Sequence, residues 1–275
     1  MIDGKLSLIL PAHNEEPNIE AVVREAVEVL PTLFRDYEVL VVDDGSKDRT
    51  PEIIDALAAE NPHVKALHHP KNRGYGGALT TGFSNATGDY MMFMDSDRQF
   101  DIHDLANLAP YIPSYDIVAG YRIKRNDPYY RYLIGSGFNQ MVKLLFQVNL
   151  RDIDCGFKVF NADVLSDMDL ESPGALINTE IHAKANVQGR SVVEVGVNHY
   201  ARLVGEQSGA SIKVMVRAIL ETFRLWWRLR DYVPPDGNIV VRPASATGLV
   251  KVAAVGLAGL GALILLATRV GRRRG

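Results

Sequence analysis

The chain has 275 residues and a formal net charge of -3. This size suits one large domain with or without appendages, and the charge excludes the global basic field that nucleic-acid-binding proteins use. A single cysteine, Cys155, excludes an internal disulfide and a two-cysteine metal site, in agreement with a reducing cytoplasm.

In the first half of the chain, short apolar segments alternate with segments of helical periodicity. Strands are predicted at residues 5–10, 37–44, 64–69, 89–95 and 115–122, and helices at residues 15–30, 48–60, 74–86 and 101–112. Strands rich in valine, leucine and isoleucine that alternate with helices are typical of a mostly parallel sheet covered on both faces. The predicted fold class is therefore α/β. No secretory signal peptide is expected, because the first residues become polar and acidic too soon.

Polar clusters follow four of these strands. They read "PAHNE" after the first strand, "DDGS" after the second, "DSD" after the fourth and "GYR" after the fifth. Ligands of such sheets bind beyond the carboxyl ends of the strands. The four clusters therefore predict one common site.

The second half is less regular and ends in an apolar segment. Helices are predicted at residues 129–147, 178–189 and 211–233, and strands at the end of 151–160 and at 191–201. Residues 211–233 combine basic residues with two tryptophans, a pattern typical of a helix that lies at a membrane surface. The alternative is a helix that packs on the core with a solvated basic face, and the apolar segment that follows favours the membrane. Residues 234–247 read as a linker, 248–268 as a membrane-spanning helix, and 269–275 as a basic tail.

Two carboxylates, Asp95 and Asp97, follow the apolar strand "YMMFM" one residue apart. They would repel each other and lose hydration unless a cation neutralised them. A hard divalent cation does this with oxygen ligands and can also bind a diphosphate. Asp-x-Asp spacing alone is a weak signal, but its place beside the other strand-end clusters favours a metal site.

Four motifs give the chain a family resemblance. "LILPAHNEEPNI", "VLVVDDGSKDRT", "NRGYGGALTTGF" and "GDYMMFMDSDRQ" resemble, in order and spacing, the motifs of family 2 glycosyltransferases. This resemblance implies a GT-A-type fold, a nucleoside-diphosphate sugar donor and inversion at the anomeric carbon. The later segments "DIDCGFKVF", "NTEIHAKA" and "EVGVNHYARLVGEQSGAS" are similar to the branch that includes dolichol-phosphate mannose synthase and bacterial polyprenyl-phosphate glycosyltransferases.

The resemblance also assigns donor-side roles to residues of this chain. The residues implied to line the nucleotide pocket are Pro11, Ala12, Asn14 and Glu15. The residues implied to contact the base, the ribose or the diphosphate are Asp43, Asp44, Arg73 and Gly74. Asp95 and Asp97 would hold Mg²⁺ or Mn²⁺, and Gln99 would complete the coordination.

On the acceptor side, the resemblance implies that arginines bind a polyprenyl phosphate. The implied residues are Arg122, Arg131 and Arg202, with Ser208 in the acceptor loop. A phosphate monoester is already largely dianionic at neutral pH and needs no general base, whereas the fork of arginine suits its oxygens. The chain departs from the branch in two places, with Gly135 where a serine is usual and "GEQSG" where "GESK" is usual.

Two alternatives stay open at this point. A family 2 enzyme acting on a hydroxyl of a glycan or glycolipid would need a general base, for which Glu180 and Asp154 are the candidates. Glu180 has a second interpretation, in which it only braces the acceptor loop. A protein of another class, a nucleotide-sugar binding module without turnover, would need no acceptor site.

The sequence also suggests an organisation around a membrane. We expect a catalytic domain over residues 1–210, a juxtamembrane amphipathic helix over 211–233 and a C-terminal anchor. Because nucleotide-sugar donors are cytoplasmic, the catalytic domain is expected on that side. A single span would then place "RVGRRRG" outside, against the usual cytoplasmic preference of Lys and Arg, so a re-entrant segment or helix packing through glycines is an alternative.

Overall fold

The computed structural model describes residues 1–124, 129–202 and 212–244. Within these ranges, the side chains of residues 129–136 and 212–218 are not described. The strands are β1 (Ile2–Ala12), β2 (Phe34–Asp43), β3 (Val64–His68), β4 (Tyr90–Met94), β5 (Ile117–Arg122), β6 (Phe157–Asn161) and β7 (Val192–Val197). The α-helices are α1 (Ile19–Leu33), α2 (Thr50–Glu60), α3 (Tyr75–Asn85), α4 (Leu105–Leu108), α5 (Tyr129–Phe146), α6 (Ala162–Ser166), α7 (Ile177–Gln188) and α8 (Ile212–Leu229).

The seven strands form one mixed sheet in the order β3-β2-β1-β4-β6-β5-β7. All neighbouring strands are parallel except β6, which runs antiparallel to both β4 and β5. The chain moves outward from β1 to β3 and then returns to the other side of β1 with β4. Such a reversal opens a crevice at the carboxyl ends of the two strands, which is where α/β proteins bind ligands.

Alternate residues of the central strands pack in two different hydrophobic cores, one on each face of the sheet. Leu8 and Leu10 of β1 pack in one cluster with Val22 of α1. Ile9, between them, packs in a second cluster with Leu79 of α3. Because successive side chains of a strand point to opposite faces, an uninterrupted apolar run predicts a strand covered on both sides, and the structure confirms this.

Helix α8 packs on α5 and α7 through a third cluster. Leu225, Trp226 and Leu229 of α8 are buried there, and the Trp226 indole donates to the carbonyl of Ala244 at 3.1 Å. The neighbouring Trp227 is instead 65% exposed. One side of α8 is therefore buried against the rest of the domain, and another side exposes apolar residues.

Several predicted boundaries differ from the observed ones. Residues 101–112 form two 3₁₀ turns on either side of the short α4, with Pro110 in the second turn. Residues 151–160 do enter a strand, but it is antiparallel to its neighbours. None of the described helices is long and apolar enough to cross a membrane. The predicted anchor at 248–268 and tail at 269–275 lie outside the described residues.

A buried carboxylate ties the amino ends of the central strands together. Glu38 of β2 accepts hydrogen bonds from Ser7 at 2.6 Å, from Lys65 at 2.6 Å and from both the amide and the hydroxyl of Thr87. Burial alone would raise the pKa of Glu38, but these hydrogen bonds lower it from 4.5 to about 2. The charged form is therefore the one that the fold stabilises.

We expect Glu38→Gln to lower the free energy of unfolding by about 2 kcal/mol at pH 7. Because the folded pKa lies below the ordinary value, the contribution is fully present above about pH 4.5 and is lost as the pH falls towards about 2. Urea unfolding from pH 7 to pH 3 measures both effects, with the exposed Glu52→Gln as control. An unchanged pH dependence in Glu38→Gln would contradict the assignment.

Candidate functional site

The loops after β1 and β2 are joined by hydrogen bonds from both sides. Asn14 adopts a positive φ of 55°, its amide donates to the Ser46 hydroxyl at 2.9 Å, and its side-chain oxygen accepts from the Lys47 amide at 2.8 Å. Pro11 accepts from the Ser96 hydroxyl at 2.9 Å, and Ala12 accepts from the Asp44 amide at 2.8 Å. The predicted pocket-lining residues thus hold together the loops at the ends of β1, β2 and β4.

The two predicted nucleotide-contacting aspartates differ in what they hold. Asp43 accepts from the Ser46 amide at 2.9 Å and lies 3.2 Å from Nδ1 of His68. Asp44 accepts from the amides of Arg73 at 2.7 Å and Gly74 at 2.8 Å. Asp44 therefore fixes the loop before α3, and its predicted contact with base or ribose stays a prediction.

Gly74 immediately precedes α3 and adopts a conformation that favours glycine. Its φ is +87°, and a β-carbon there would overlap the carbonyl of Pro173. The exposed Arg73 beside it extends its guanidinium towards the Thr81 hydroxyl, at 3.5 Å. The hydrogen bond from the Arg73 amide to Asp44 thus holds this arginine at the edge, or rim, of the crevice.

Asp95 and Asp97 lie at the end of β4. The Tyr75 hydroxyl donates to Oδ1 of Asp95 at 2.8 Å, and Asp97 Oδ1 accepts from the Gln99 amide at 3.1 Å. Burial and the charge of Asp97 raise the pKa of Asp95 from 3.8 to about 7. A carboxylate pair that resists double ionisation is one that a divalent cation would stabilise.

The donor set suits a cation that is shared with a ligand. Among the described residues, no group of three His, Cys, Asp or Glu side chains converges as a metal site. Two carboxylates therefore leave most coordination positions of Mg²⁺ or Mn²⁺ to oxygens of a bound diphosphate and to water. Gln99, the predicted third ligand, uses its side-chain nitrogen to donate to the carbonyl of Tyr200 at 3.1 Å.

Arg202 reaches the carboxylates from the segment after β7. Its guanidinium donates to Oε1 of Glu15 at 2.7 Å and lies 3.6 Å from Oδ2 of Asp97. The segment is held over the "DSD" loop by the Tyr200 amide, which donates to the carbonyl of Gln99 at 2.9 Å. The structure thus brings a predicted acceptor residue, a predicted pocket residue and a predicted metal ligand together.

The other predicted acceptor residues are placed differently. Arg122 forms a two-pronged ion pair with Asp152, at 2.6 and 2.7 Å, and its side chain is 14% exposed. Arg131 belongs to α5, but its side chain lies outside the described part of the chain, as does Ser208. Asp152 therefore fixes the guanidinium of Arg122, and the predicted contact of Arg122 with an acceptor stays a prediction.

Glu180, the first candidate base, is fully buried in α7. It accepts from the amides of Ser172 at 2.8 Å and Glu171 at 3.2 Å, and it pairs with Lys184 at 2.9 Å. Burial alone would raise the pKa of Glu180, but the hydrogen bond from Ser172 and the charge of Lys184 lower it. A general base poised near neutral pH needs the opposite shift, so this geometry favours the interpretation of Glu180 as a brace.

The match to a known family covers most of these residues. Residues 7–169 match the model of the family described as glycosyl transferase family 2. The chain belongs to this family. The resemblance carried by the four sequence motifs is thereby confirmed.

The relatives of this family 2 glycosyltransferase include a longer protein. Glycosyltransferase AglD of Haloferax volcanii is 34% identical over 239 residues, which cover 82% of this chain and 37% of that protein. The chain therefore spans little more than a third of this relative.

Solved structures with the same architecture come from glucosyl-3-phosphoglycerate synthase of Mycobacterium tuberculosis. The complex with Mn²⁺, UDP and glucosyl-3-phosphoglycerate superposes with a TM-score of 0.65 at 18% identity and covers 88% of each chain. The complex with Mn²⁺ and UDP-glucose gives a TM-score of 0.64 at 20% identity, covering 88% of this chain and 87% of that one. These likenesses confirm the GT-A-like α/β fold.

Two residues close to Asp95 in the candidate site were not predicted from the sequence. A β-carbon at Gly156 would overlap the Asp95 carboxylate, and the Gly156 carbonyl accepts from the Asp95 amide at 3.1 Å. Lys158 is fully buried and donates to the carbonyls of Ile153, at 3.0 Å, and Cys155. The sequence "CGFKVF" does not indicate that its glycine contacts Asp95 or that its lysine binds loop carbonyls. Both contacts depend on the conformation of the loop before β6, which lies beside the end of β4.

We expect Gly156→Ala to weaken Mn²⁺ binding by about 10- to 100-fold, because the added methyl group must displace the Asp95 carboxylate. Titration of Mn²⁺ with UDP present, followed by electron paramagnetic resonance, measures the change. Gly137→Ala is the matched control, since a β-carbon there meets no described atom within 4 Å. Wild-type affinity in Gly156→Ala would show that the contact does not set the carboxylate.

Proposed function

We propose that this glycosyltransferase moves one hexose-type sugar from a nucleoside-diphosphate sugar to a polyprenyl phosphate, with inversion, on the cytoplasmic face of a membrane. The acceptor-phosphate oxygen would form a bond to the anomeric carbon while the bond from that carbon to the donor diphosphate breaks. The leaving group is a nucleoside diphosphate, so stabilising its negative charge is the main task of the site.

Support for the donor comes from the loops at the ends of β1, β2 and β4. The carboxylates of Asp95 and Asp97 would hold Mg²⁺ or Mn²⁺, which supplies positive charge to the departing diphosphate. Structural neighbours of similar fold were solved with Mn²⁺ and UDP or UDP-glucose. Asp43, and Arg73 at the rim, are the nearby groups suited to ribose hydroxyls and phosphate oxygens.

The acceptor proposal is carried by Arg202. Its guanidinium lies beside Asp97, so it presents a cation next to the place where the diphosphate would bind. An acceptor phosphate needs such a cation and no base, because its second pKa is about 6. The buried Glu180, which is engaged by Ser172 and Lys184, supports the same choice against a hydroxyl acceptor.

The membrane proposal rests on the outer side of α8. Leu220 is 53% exposed and Trp227 is 65% exposed, and the guanidinium of Arg230 lies over both indole rings of the helix. Exposed apolar residues combined with arginines are typical of helices that lie at a lipid surface. The predicted anchor at 248–268 would follow this helix along the chain.

A panel of nucleotide-sugars tests the proposal. The full chain is incubated with UDP- and GDP-sugars, Mn²⁺ or Mg²⁺, and either a short-chain polyprenyl phosphate or an oligosaccharide. We expect metal-dependent transfer to the lipid phosphate with at least one donor. Transfer to the oligosaccharide alone would favour a hydroxyl acceptor with Asp154 as base, and transfer that persists in excess EDTA would overturn the metal assignment.

A further inference from the structure

We propose that Glu180 and Tyr75 are positioning residues for Asp95, and that Glu180 acts from a distance through the segment of residues 171–174. The inference rests on the proposed metal site at Asp95 and Asp97. It gives a role to a buried acidic residue that the transfer reaction itself does not use.

The Asp95 carboxylate is fixed on two sides. The Tyr75 hydroxyl donates to Oδ1 at 2.8 Å, while Oδ2 faces the α-carbon of Gly156, where no β-carbon fits. A donated hydrogen bond to one oxygen orients a carboxylate without occupying all of its lone pairs. Tyr75 can therefore aim Asp95 at a cation while leaving it able to bind one.

Tyr75 is the first residue of α3, and the start of α3 packs closely against residues 172–174. The Pro173 carbonyl accepts from the Gly76 amide at 2.8 Å and from the Gly77 amide at 3.3 Å. A β-carbon at Gly76 would overlap the carbonyl of Ser172. Free amides at a helix start are often an anion site, but here they are taken by protein. Any movement of the segment would consequently move Tyr75.

Glu180 holds this segment in place. Its carboxylate accepts from the Ser172 amide at 2.8 Å and from the Glu171 amide at 3.2 Å. Burying a carboxylate costs free energy unless it is paired, and Lys184 at 2.9 Å and Arg228 of α8 at 3.6 Å supply the charge. The connection thus runs from Glu180 through Pro173 and the helix start to Tyr75 and Asp95.

The test measures Mn²⁺ affinity with UDP present, by electron paramagnetic resonance, in Tyr75→Phe, Glu180→Gln and the double variant. We expect each single variant to bind Mn²⁺ about tenfold more weakly, within the range seen when groups supporting metal ligands are removed. We expect the double variant to be little weaker than Glu180→Gln, because both changes release the same carboxylate. The exposed Tyr111→Phe and Glu52→Gln are matched controls.

The Mn²⁺ affinities of these variants distinguish a positioning role for Glu180 from a role as general base. Wild-type Mn²⁺ affinity in Tyr75→Phe, or additive losses in the double variant, would overturn the proposal. Loss of turnover in Glu180→Gln with unchanged Mn²⁺ affinity would overturn it as well and make Glu180 a base. If Glu180→Gln does not fold, Gly76→Ala replaces it, because the added β-carbon would overlap the Ser172 carbonyl and separate the start of α3 from the segment that Glu180 holds. Wild-type Mn²⁺ affinity in Gly76→Ala would then overturn the role of Glu180. Failure of the wild-type chain to bind Mn²⁺ would instead refute the metal site itself.

Discussion

Replacing Asp97 with asparagine is expected to lower the rate of sugar transfer by at least about a thousandfold. The substitution keeps the size of the side chain and its acceptor oxygen for the Gln99 amide, but it removes one of the two carboxylate charges that would hold the cation. Asp95 cannot compensate, because a single carboxylate would be left to hold the cation.

The measurement is turnover of a nucleotide-sugar together with Mn²⁺ titration in the presence of UDP. Mn²⁺ affinity should fall along with the rate, which distinguishes a lost metal ligand from a misplaced acceptor. Asp3→Asn is the matched control, because Asp3 lies at the amino end of β1 and pairs with the exposed Arg35. Rates within a few-fold of wild type in Asp97→Asn would remove the central support for the proposed chemistry.

The central strands could be predicted from the sequence because they are buried on both faces. Uninterrupted apolar runs as short as "VLVV" and "YMMFM" are typical of buried strands, and the polar residues after them mark the carboxyl ends. The direction of β6 could not be predicted in the same way. A short apolar strand reads alike in both directions, and its insertion between β4 and β5 depends on the loop that Lys158 organises.

The site was predictable to the extent that its residues follow strands. The carboxylates of Asp95 and Asp97 were singled out by their position after a strand, whereas the role of Asp43 came from the family resemblance. The loops that carry these residues are joined through the end of β1. The partners of Asp44 and Glu180 could not be predicted, because each accepts from backbone amides of another loop. Acidic residues that brace loops and acidic residues that bind ligands look the same in a sequence, and only burial and hydrogen bonds separate them.

Arg202→Ala is expected to lower kcat/KM for a polyprenyl-phosphate acceptor by about 100-fold. Hydrogen bonds to a charged group contribute about 1.5–3 kcal/mol, and each 1.4 kcal/mol is a factor of about ten. Arg202→Lys should recover only part of this loss, because an ammonium cannot bind two phosphate oxygens as a guanidinium does. Steady-state kinetics with the acceptor varied at saturating donor measures the change, and Arg35→Ala, exposed at the amino end of the sheet, is the control.

Mn²⁺ affinity in the presence of UDP should not fall in Arg202→Ala, and this measurement decides between an acceptor role and a donor role for Arg202. In the structure, the guanidinium lies 2.7 Å from Glu15 and 3.6 Å from Asp97, so its charge opposes a cation bound to Asp97. Its removal should therefore leave Mn²⁺ affinity in the presence of UDP unchanged or raise it, whereas Asp97→Asn lowers it. If Arg202→Ala weakens UDP and Mn²⁺ binding but leaves acceptor kinetics intact, the arginine serves the donor diphosphate and the acceptor assignment is wrong.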